Sequence, residues 1–441
     1  MKKIYYYFDL KQESPLRISS GEGQESDSDL LTDGRGLPYI PGSGLAGVIR
    51  SYIDKKNADI IFGNVDIEKL MEKEKGAVLE SRIQISDAVM KSDVSTSNII
   101  VCIRDGVGLD DWGMNIRGAK YDFQVVETNE TYYAVLEWSG DKEQEEKEII
   151  RVLEPVFKEF VANGLQFGAR TTRGYGAMKV KIYKKEFLFS DDPKKNPDVL
   201  EEWLNYHPAE KRFEEKKGDE LSAPEGGIRK NISIKAGLKF KDSFNIRVRT
   251  SRLERIEDGS KPDCIPLMNK DGKPVILGTA WAGSFRHHMH HLMEEMESDC
   301  EKRGKMINEI DYELFGMGSE KKQNHRRSKI TFFETIVEGG AANTSMRNAV
   351  DRFTAAPRNA ALFTSQVWTG GRGELSILID KDKVDDNQLQ LIFATIYDMD
   401  LGLVTVGGET GIGRGMVELT GLQIDGVDCL DRLRAGSLKL V

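Results

Sequence analysis

Apolar residues recur at helical spacing along 143–163. Ile149, Ile150, Val152, Leu153, Val156, Phe157, Phe160 and Val161 fall on one face, which predicts an amphipathic helix. A strand-like run, TYYAVLEWS (131–139), precedes it, and a glycine-rich turn, GARTTRGYG (168–176), follows it and leads into the strand-like MKVKIYKKEF (178–187). The same order recurs later as GELSILIDK (373–381), DNQLQLIFATIYDMD (386–400), GGETGIGRG (407–415) and MVELTGLQI (416–424). Earlier in each half the pattern predicts a strand (3–11; 232–242), a polar loop and a helix starting at Gly42 or spanning 278–296. A further strand (81–89; 328–337) and a long irregular segment (98–127; 339–369) complete each half. The order is β-α-β-β-α-β twice, an α+β class with a split βαβ, ferredoxin-like unit in each half.

The halves also share residues. Laid without a gap, 27–50 and 263–286 are identical at Asp27/Asp263, Leu31/Leu267, Gly36/Gly272, Pro38/Pro274, Ile40/Ile276, Gly42/Gly278, Ala46/Ala282, Gly47/Gly283 and Arg50/Arg286. An acid, a base, glycines and a proline dominate, which suggests a loop and helix start that hold something. The expected domains are 1–189 and 228–441. The polar, acidic and Pro-containing stretch 190–227 between them reads as a linker with one short helix near 199–206.

Length and composition then narrow the class. A chain of 441 residues, 39% hydrophobic and 31% charged, fits two soluble globular domains. No apolar run reaches membrane-span length, and the opening MKKIYYYFDL lacks a signal peptide's apolar region. Cys102, Cys264, Cys300 and Cys429 are scattered and form no CxxC pair, so a reducing cytoplasm is expected. A net charge of -9 argues against general affinity for nucleic acid, yet basic residues cluster locally. Lys321, Lys322, His325, Arg326, Arg327 and Lys329 crowd one loop, and Arg170 and Arg173 share a turn.

Four constellations could carry chemistry. Asp27, Asp29 and Asp33 form an acidic loop able to hold Mg²⁺ or another divalent cation, or to orient a nucleophile at phosphorus; ordinary loop composition is the alternative. The helix starts Gly42-Ser43-Gly44 and Gly278-Thr279 offer backbone N–H groups to an anion, with Arg50 and Arg286 two turns in. Capping by Ser43 or Thr279 would also explain them. The late turns offer N–H groups and Arg170, Arg173 or Arg414 to a polyanion, or are purely structural. The second only superficially resembles a P-loop, because Arg414 and Gly415 stand where Lys and Ser/Thr are needed and a strand follows. Finally, His287 and His291 stand four apart in the run His287 to His291, a spacing that can bind a transition metal; histidines beside a phosphate surface are the plainer reading.

Taken together, these residues resemble the RAMP superfamily of CRISPR-associated proteins, and among them the backbone subunits of type III effector complexes. The likeness rests on the Asp-containing loop running into LPYIPGSGLAG, on FG followed by SRIQISDA, on RNAVDRFT (347–354) with ALFTSQV (361–367), and on the late glycine-rich turn. It covers both halves, as in a fusion of two such subunits. The resemblance implies two RRM-like ferredoxin folds, each with the irregular segment as an inserted, projecting thumb hairpin (near 98–127 and 339–369). It implies a guide crRNA gripped by its backbone, with Gly42, Ser43, Gly44, Arg50, Arg170, Arg173, Gly278, Thr279, Arg286, Arg347, Arg352 and Arg414 as RNA-binding residues. Asp27 matches the position of a family aspartate that cleaves complementary target RNA with a divalent metal, and Asp263 matches it in the second half. Other effector subunits, including the large polymerase-like one, are the implied partners.

There are departures. The second half has Ile-Leu-Gly-Thr-Ala where Ile-Pro-Gly-Ser is usual, and no acids at the positions of Asp29 and Asp33. The first thumb matches loosely. A non-catalytic RNA-binding scaffold is the main alternative. A guide-processing endonuclease is another, and it usually depends on histidine, which the first half lacks.

Overall fold

The computed structural model describes all residues except 20, 22–25, 66–77, 92, 96–98, 110–114, 191–196, 224–230, 245–246, 250–261, 317–326 and 439–441. Lys321, Lys322, His325 and Arg326 of the basic run therefore lie outside the described residues. The chain divides into two compact units: Met1–Gly106 with Lys120–Thr171 and Tyr175–Ile228, and Val107–Ala119 with Thr172–Gly174 and Arg229–Val441. No helix among the described residues is long and apolar enough to cross a membrane.

The first half of the chain forms β1 (Lys2–Gln12), α1 (Gly42–Ser51), α2 (Lys55–Phe62), β2 (Ile83–Ile85), β3 (Val101–Leu109), β4 (Asn115–Val126), β5 (Thr131–Gly140), α3 (Glu143–Asn163) and β6 (Ala177–Leu188), all in the first unit except Val107–Ala119 of β3 and β4. Its main sheet runs β6-β1-β5-β2, antiparallel throughout, with Tyr6 opposite both Leu136 and Lys184. The central strand is apolar on both faces. Ile4, Tyr6, Phe8 and Leu10 point to the α3 side, where Tyr6 and Phe8 meet the Phe157 ring edge-on at 4.9 and 5.2 Å. Tyr5 and Tyr7 point the other way. A strand aromatic on both sides needs two covering layers.

The second layer comes from the stretch read as a linker. Its helix α4 (Pro197–Leu204) brings Trp203, whose indole N–H donates to the Tyr5 hydroxyl at 3.1 Å, and Tyr206 follows to accept from Tyr7 at 2.8 Å. Lys217 then reaches the Asp9 carboxylate, and the Leu221 N–H donates to the Ile182 carbonyl at 2.8 Å.

The second unit repeats the scheme with β7 (Asn231–Phe240), α5 (Gly278–Met296), α6 (Cys300–Glu313), β8 (Ile330–Phe332), β9 (Ala341–Val350), β10 (Pro357–Thr369), β11 (Arg372–Asp380), α7 (Asp386–Asp400) and β12 (Val417–Ile424). The main sheet runs β8-β11-β7-β12. In both units, then, the first strand lies between the third and fourth and the second flanks the third. Here the central strand alternates: Ile232, Ile234, Ala236, Leu238 and Phe240 are buried, and the residues between them are not. Those five pack with Phe285, Met289 and Met293 of α5 and Ile392, Phe393 and Ile396 of α7 in one core. A capping box at Asp385 and Gln388 starts α7.

Two readings of the bare residue pattern change. The segments that read as irregular are hairpins, the form the resemblance implied: β3 pairs with β4, and β9 pairs antiparallel with β10. Their strands are largely exposed, so burial imposes little alternation on them, and Gly106, Gly108 and Gly118 interrupt the first. The strand expected over 81–89 shortens to β2, because the chain leaves the sheet after Ile85 and continues as isolated bridges at Ala88 and Val89.

Candidate nucleic-acid interface

The shared aspartates occupy equivalent places. The Asp122 N–H on β4 donates to Asp27 Oδ2 at 2.9 Å, and the Asp27 N–H donates back to Asp122 Oδ1 at 2.8 Å. In the second unit the Thr364 N–H on β10 donates to Asp263 Oδ2 at 2.8 Å, and the Asp263 N–H donates to the Thr364 carbonyl at 2.8 Å. Each aspartate thus fastens its loop to the second strand of its hairpin while staying exposed. The first unit differs in one respect: its partner is itself a carboxylate. Asp27 Oδ1 and Asp122 Oδ2 accept no hydrogen bond among the described residues.

Asp29 and Asp33 serve the loop. Asp29 accepts from the Ser26 N–H and hydroxyl at 3.0 and 2.8 Å. Asp33 accepts from the Arg35 and Leu37 N–H groups and pairs with the Arg35 guanidinium at 2.8 Å. Burial works to raise the Asp33 carboxyl, but Arg35 and the Leu37 N–H outweigh it and hold it below its ordinary value. Asn269 makes the same turn in the second unit, accepting from the Asp271 and Lys273 N–H groups. Gly36 and Gly272 follow with φ of 76° and 69°, a left-handed backbone that favours glycine. Among the described residues no three His, Cys, Asp or Glu side chains gather to hold a metal. Asp27 on the loop and Asp122 on β4 offer two carboxylates, a set that suits Mg²⁺ when substrate phosphate and water complete its shell.

The start of α1 is internally occupied. The Gly42 N–H donates to Asp87 Oδ1 at 2.7 Å, so the anion at the N-terminus of α1 is a protein carboxylate. Neither Ser43 nor Thr279 caps; Pro41 and Leu277 hold the N-cap positions without a side-chain bond. A Cβ on Gly42 would lie 2.6 Å from the Ile85 carbonyl oxygen, and one on Gly278 would lie 2.2 Å from that of Phe332. Close packing on the second strand requires both glycines.

Arg50 and Arg286 are engaged by partners within their own units. Arg50 bonds Asp59 on α2 and the Gly63 carbonyl, and Arg286 grips Asp311 on α6 through Nε at 2.6 Å and an Nη at 2.7 Å. In each unit this residue ties the first helix to the next. Gly47 and Gly283 have no such reason: both are exposed, with nothing within 4 Å of a Cβ. Ser43 and Gly44 lie exposed on the same helix.

The late turns share a backbone and differ in charge. Positive φ recurs at Gly168/Gly407, Arg170/Glu409, Gly174/Gly413 and Gly176/Gly415. In the second turn Arg414 is 5% exposed and paired with Glu409, so it presents no charge to a ligand. In the first, Arg170 lies 4.4 Å over the Tyr121 ring and 4.8 Å over Phe123, and donates to the Tyr121 hydroxyl at 2.6 Å. Arg17 lies 4.3 Å over Phe123 from the other direction of the chain. Arg173 is half-buried in the same turn. Arg347 is half-buried on β9, and Arg352 is exposed at the hairpin tip beside Phe353, which is 97% exposed.

Sequence reasoning missed Asp122, Arg17, Tyr121 and Phe123. The signal was present in Tyr121-Asp122-Phe123: in a strand the rings share one face and the carboxylate takes the other. The histidine run sorts itself likewise. His288 bonds Asp398 at 2.7 Å and His290 bonds Asp311 at 2.8 Å, while His287 and His291 face each other at 3.1 Å.

Comparison with known proteins adds one finding. The family model of the RAMP superfamily matches residues 9–179 and 232–418, one stretch in each half. No curated protein matches the chain.

Proposed function

The chain belongs to the RAMP superfamily, and we propose that it is a backbone subunit of a type III CRISPR ribonucleoprotein, binding guide RNA and cleaving complementary target RNA. Family membership suggests a CRISPR-associated role; the rest is our reading. Each unit is read as a ferredoxin-like, RRM-like domain, supported by the shared strand order, and the hairpins β3–β4 and β9–β10 as its thumbs. The guide, the target and the other effector subunits, including the large polymerase-like one, are the proposed partners. The cytoplasm is the proposed compartment.

The observation that carries this reading is the placing of Asp27 and Asp263. Both are exposed beside the second strand of a hairpin, and each accepts a backbone N–H from that strand. Asp27 adds a second carboxylate, Asp122, and these two would hold a divalent cation supplied with RNA. When bound, the cation would stabilise negative charge at phosphorus. The ribose 2′-hydroxyl loses its proton and attacks the adjacent phosphorus. The bond to the 5′-oxygen breaks as that oxygen takes up a proton, leaving a 2′,3′-cyclic phosphate and a 5′-hydroxyl. Thr364 replaces the second carboxylate beside Asp263, which favours a scaffold role for the second unit. Asp27→Asn with Asp263→Asn should abolish EDTA-sensitive cleavage of target RNA by the reconstituted complex while leaving guide binding intact. Undiminished cleavage by that double variant removes the catalytic reading.

A further inference from the structure

We propose that His287 and His291, one turn apart on the exposed face of α5, form a two-nitrogen site for a transition-metal cation of the Zn²⁺ and Cu²⁺ type. The site goes beyond the RNA reading above and does not depend on it.

The first ground is distance. His291 Nε2 lies 3.1 Å from His287 Nε2, and the ring planes stand at 80° to each other. Two nitrogens each about 2.0–2.1 Å from one metal lie about 2.9 Å apart at a right angle and about 3.3 Å apart at the tetrahedral angle. The observed separation falls between those limits, so one cation can meet both nitrogens with little side-chain movement. Imidazole nitrogen suits zinc, copper and nickel, whereas Mg²⁺ prefers oxygen ligands. The pair is therefore chemically distinct from Asp27 and Asp122. Water fills the remaining coordination positions.

The second ground is support. His291 Nδ1 lies 3.3 Å from Glu294 Oε2 on the next turn. A proton on Nδ1 shared with that carboxylate leaves the Nε2 lone pair free, the usual arrangement behind a ligating histidine. His287 has no partner but His291 among the described residues. The same tautomer there aims a second lone pair at the same point, and a cation between the two relieves their repulsion. The helix that carries them is anchored on other sides. Arg286 and His290 bond Asp311 on α6, and His288 bonds Asp398 on α7. A pair on a fastened helix is positioned before the metal arrives.

The third ground is distribution. The chain has six histidines, and four of them fall within 287–291. Carboxylates on other helices take His288 and His290. The two left over are the two at the spacing that shares a metal. Helix α5 also runs 19 residues where α1 runs 10. In the register that pairs Arg50 with Arg286, Ser51 ends α1 opposite His287. His291 and Glu294 thus stand on a helical extension that α1 lacks.

The test uses the full chain without an affinity tag, titrated with ZnCl₂ by calorimetry in excess Mg²⁺. The wild type should bind Zn²⁺ at one site. His287→Gln and His291→Gln should each weaken it by at least about tenfold, because the second nitrogen binds intramolecularly once the first has bound. His207→Gln, an exposed histidine outside the run, should leave it unchanged. Both changed side chains of the pair are exposed, and an unchanged circular dichroism spectrum verifies that the variants fold. With Cu²⁺, electron paramagnetic resonance should show splitting by two nitrogens in the wild type and by fewer in either variant. No heat with Zn²⁺ would overturn the site. So would full affinity in either single variant, or a loss in His207→Gln instead, since the metal would then lie elsewhere.

Discussion

Gly42 and Gly47 stand five residues apart in one helix and answer to different demands. A methyl group at Gly42 would be driven against the Ile85 carbonyl at 2.6 Å, whereas one at Gly47 would meet open space. Gly42→Ala should therefore destabilise the first unit by about 2 kcal/mol or more. Gly47→Ala should stabilise it by about 0.5–1 kcal/mol, the ordinary gain of replacing a helical glycine. Urea unfolding of the two variants checks this; shifts of the same sign would contradict the packing argument. A second residue-scale case is Asp311. Burial favours its neutral form, but Arg286 and His290 outweigh burial and hold its folded carboxyl below the ordinary value. Its stabilisation is present above the unfolded carboxylate pKa and is lost as pH falls through the folded one. Asp311→Asn should cost about 2 kcal/mol near neutrality. It should also flatten the decline of Tm below about pH 4. An unchanged acid limb would show that the Arg286 grip is not the linkage.

Elements differed in how far the sequence revealed them. Helices α3, α5 and α7 were legible because each packs one apolar stripe on a sheet, and the periodicity records that burial. Helices α2 and α6 went unread; α6 buries Ile310 alone, too little to impose a period. The hairpins β3–β4 and β9–β10 left no period for the same reason in strand form, and only the resemblance pointed to them. Strand β1 carried an overlooked message: Tyr5, Tyr6 and Tyr7 in succession require cover on both faces. The stretch 197–221 supplies the second cover and is fastened by Lys217 on Asp9. Burial lowers the Lys217 pKa and raises that of Asp9, each against the pull of its partner. Such a pair costs about as much to bury as it returns. Lys217→Met alone should lower the stability of this layer by about 3 kcal/mol, and Lys217→Met with Asp9→Leu should restore most of it. Limited proteolysis within 197–221 reads the outcome. Failure of the second change to rescue the first would mean that the contact matters by charge rather than by filling space.

At the scale of the molecule, duplication kept the frame and let the sites diverge. The shared arginines tie helix to helix, the shared first glycines admit close packing, and the shared aspartates fasten loop to hairpin. Identity at those positions thus records a common scaffold. What differs lies on and around one strand of the first unit. One face of β4 presents Asp122 to Asp27, and the other presents Tyr121 and Phe123 to Arg170 and Arg17. The second unit has Thr364, Phe363 and Ser365 at those places. On this account the first unit both grips RNA and cuts it, and the second grips. The most direct measurement is to reconstitute the complex with guide and complementary RNA and map the cut positions for Asp27→Asn, Asp122→Asn and Asp263→Asn separately. The account predicts that Asp27→Asn abolishes and Asp122→Asn sharply slows the cut assigned to the first unit, while Asp263→Asn leaves it untouched. A cut that persists in Asp27→Asn, or is lost only in Asp263→Asn, would contradict it.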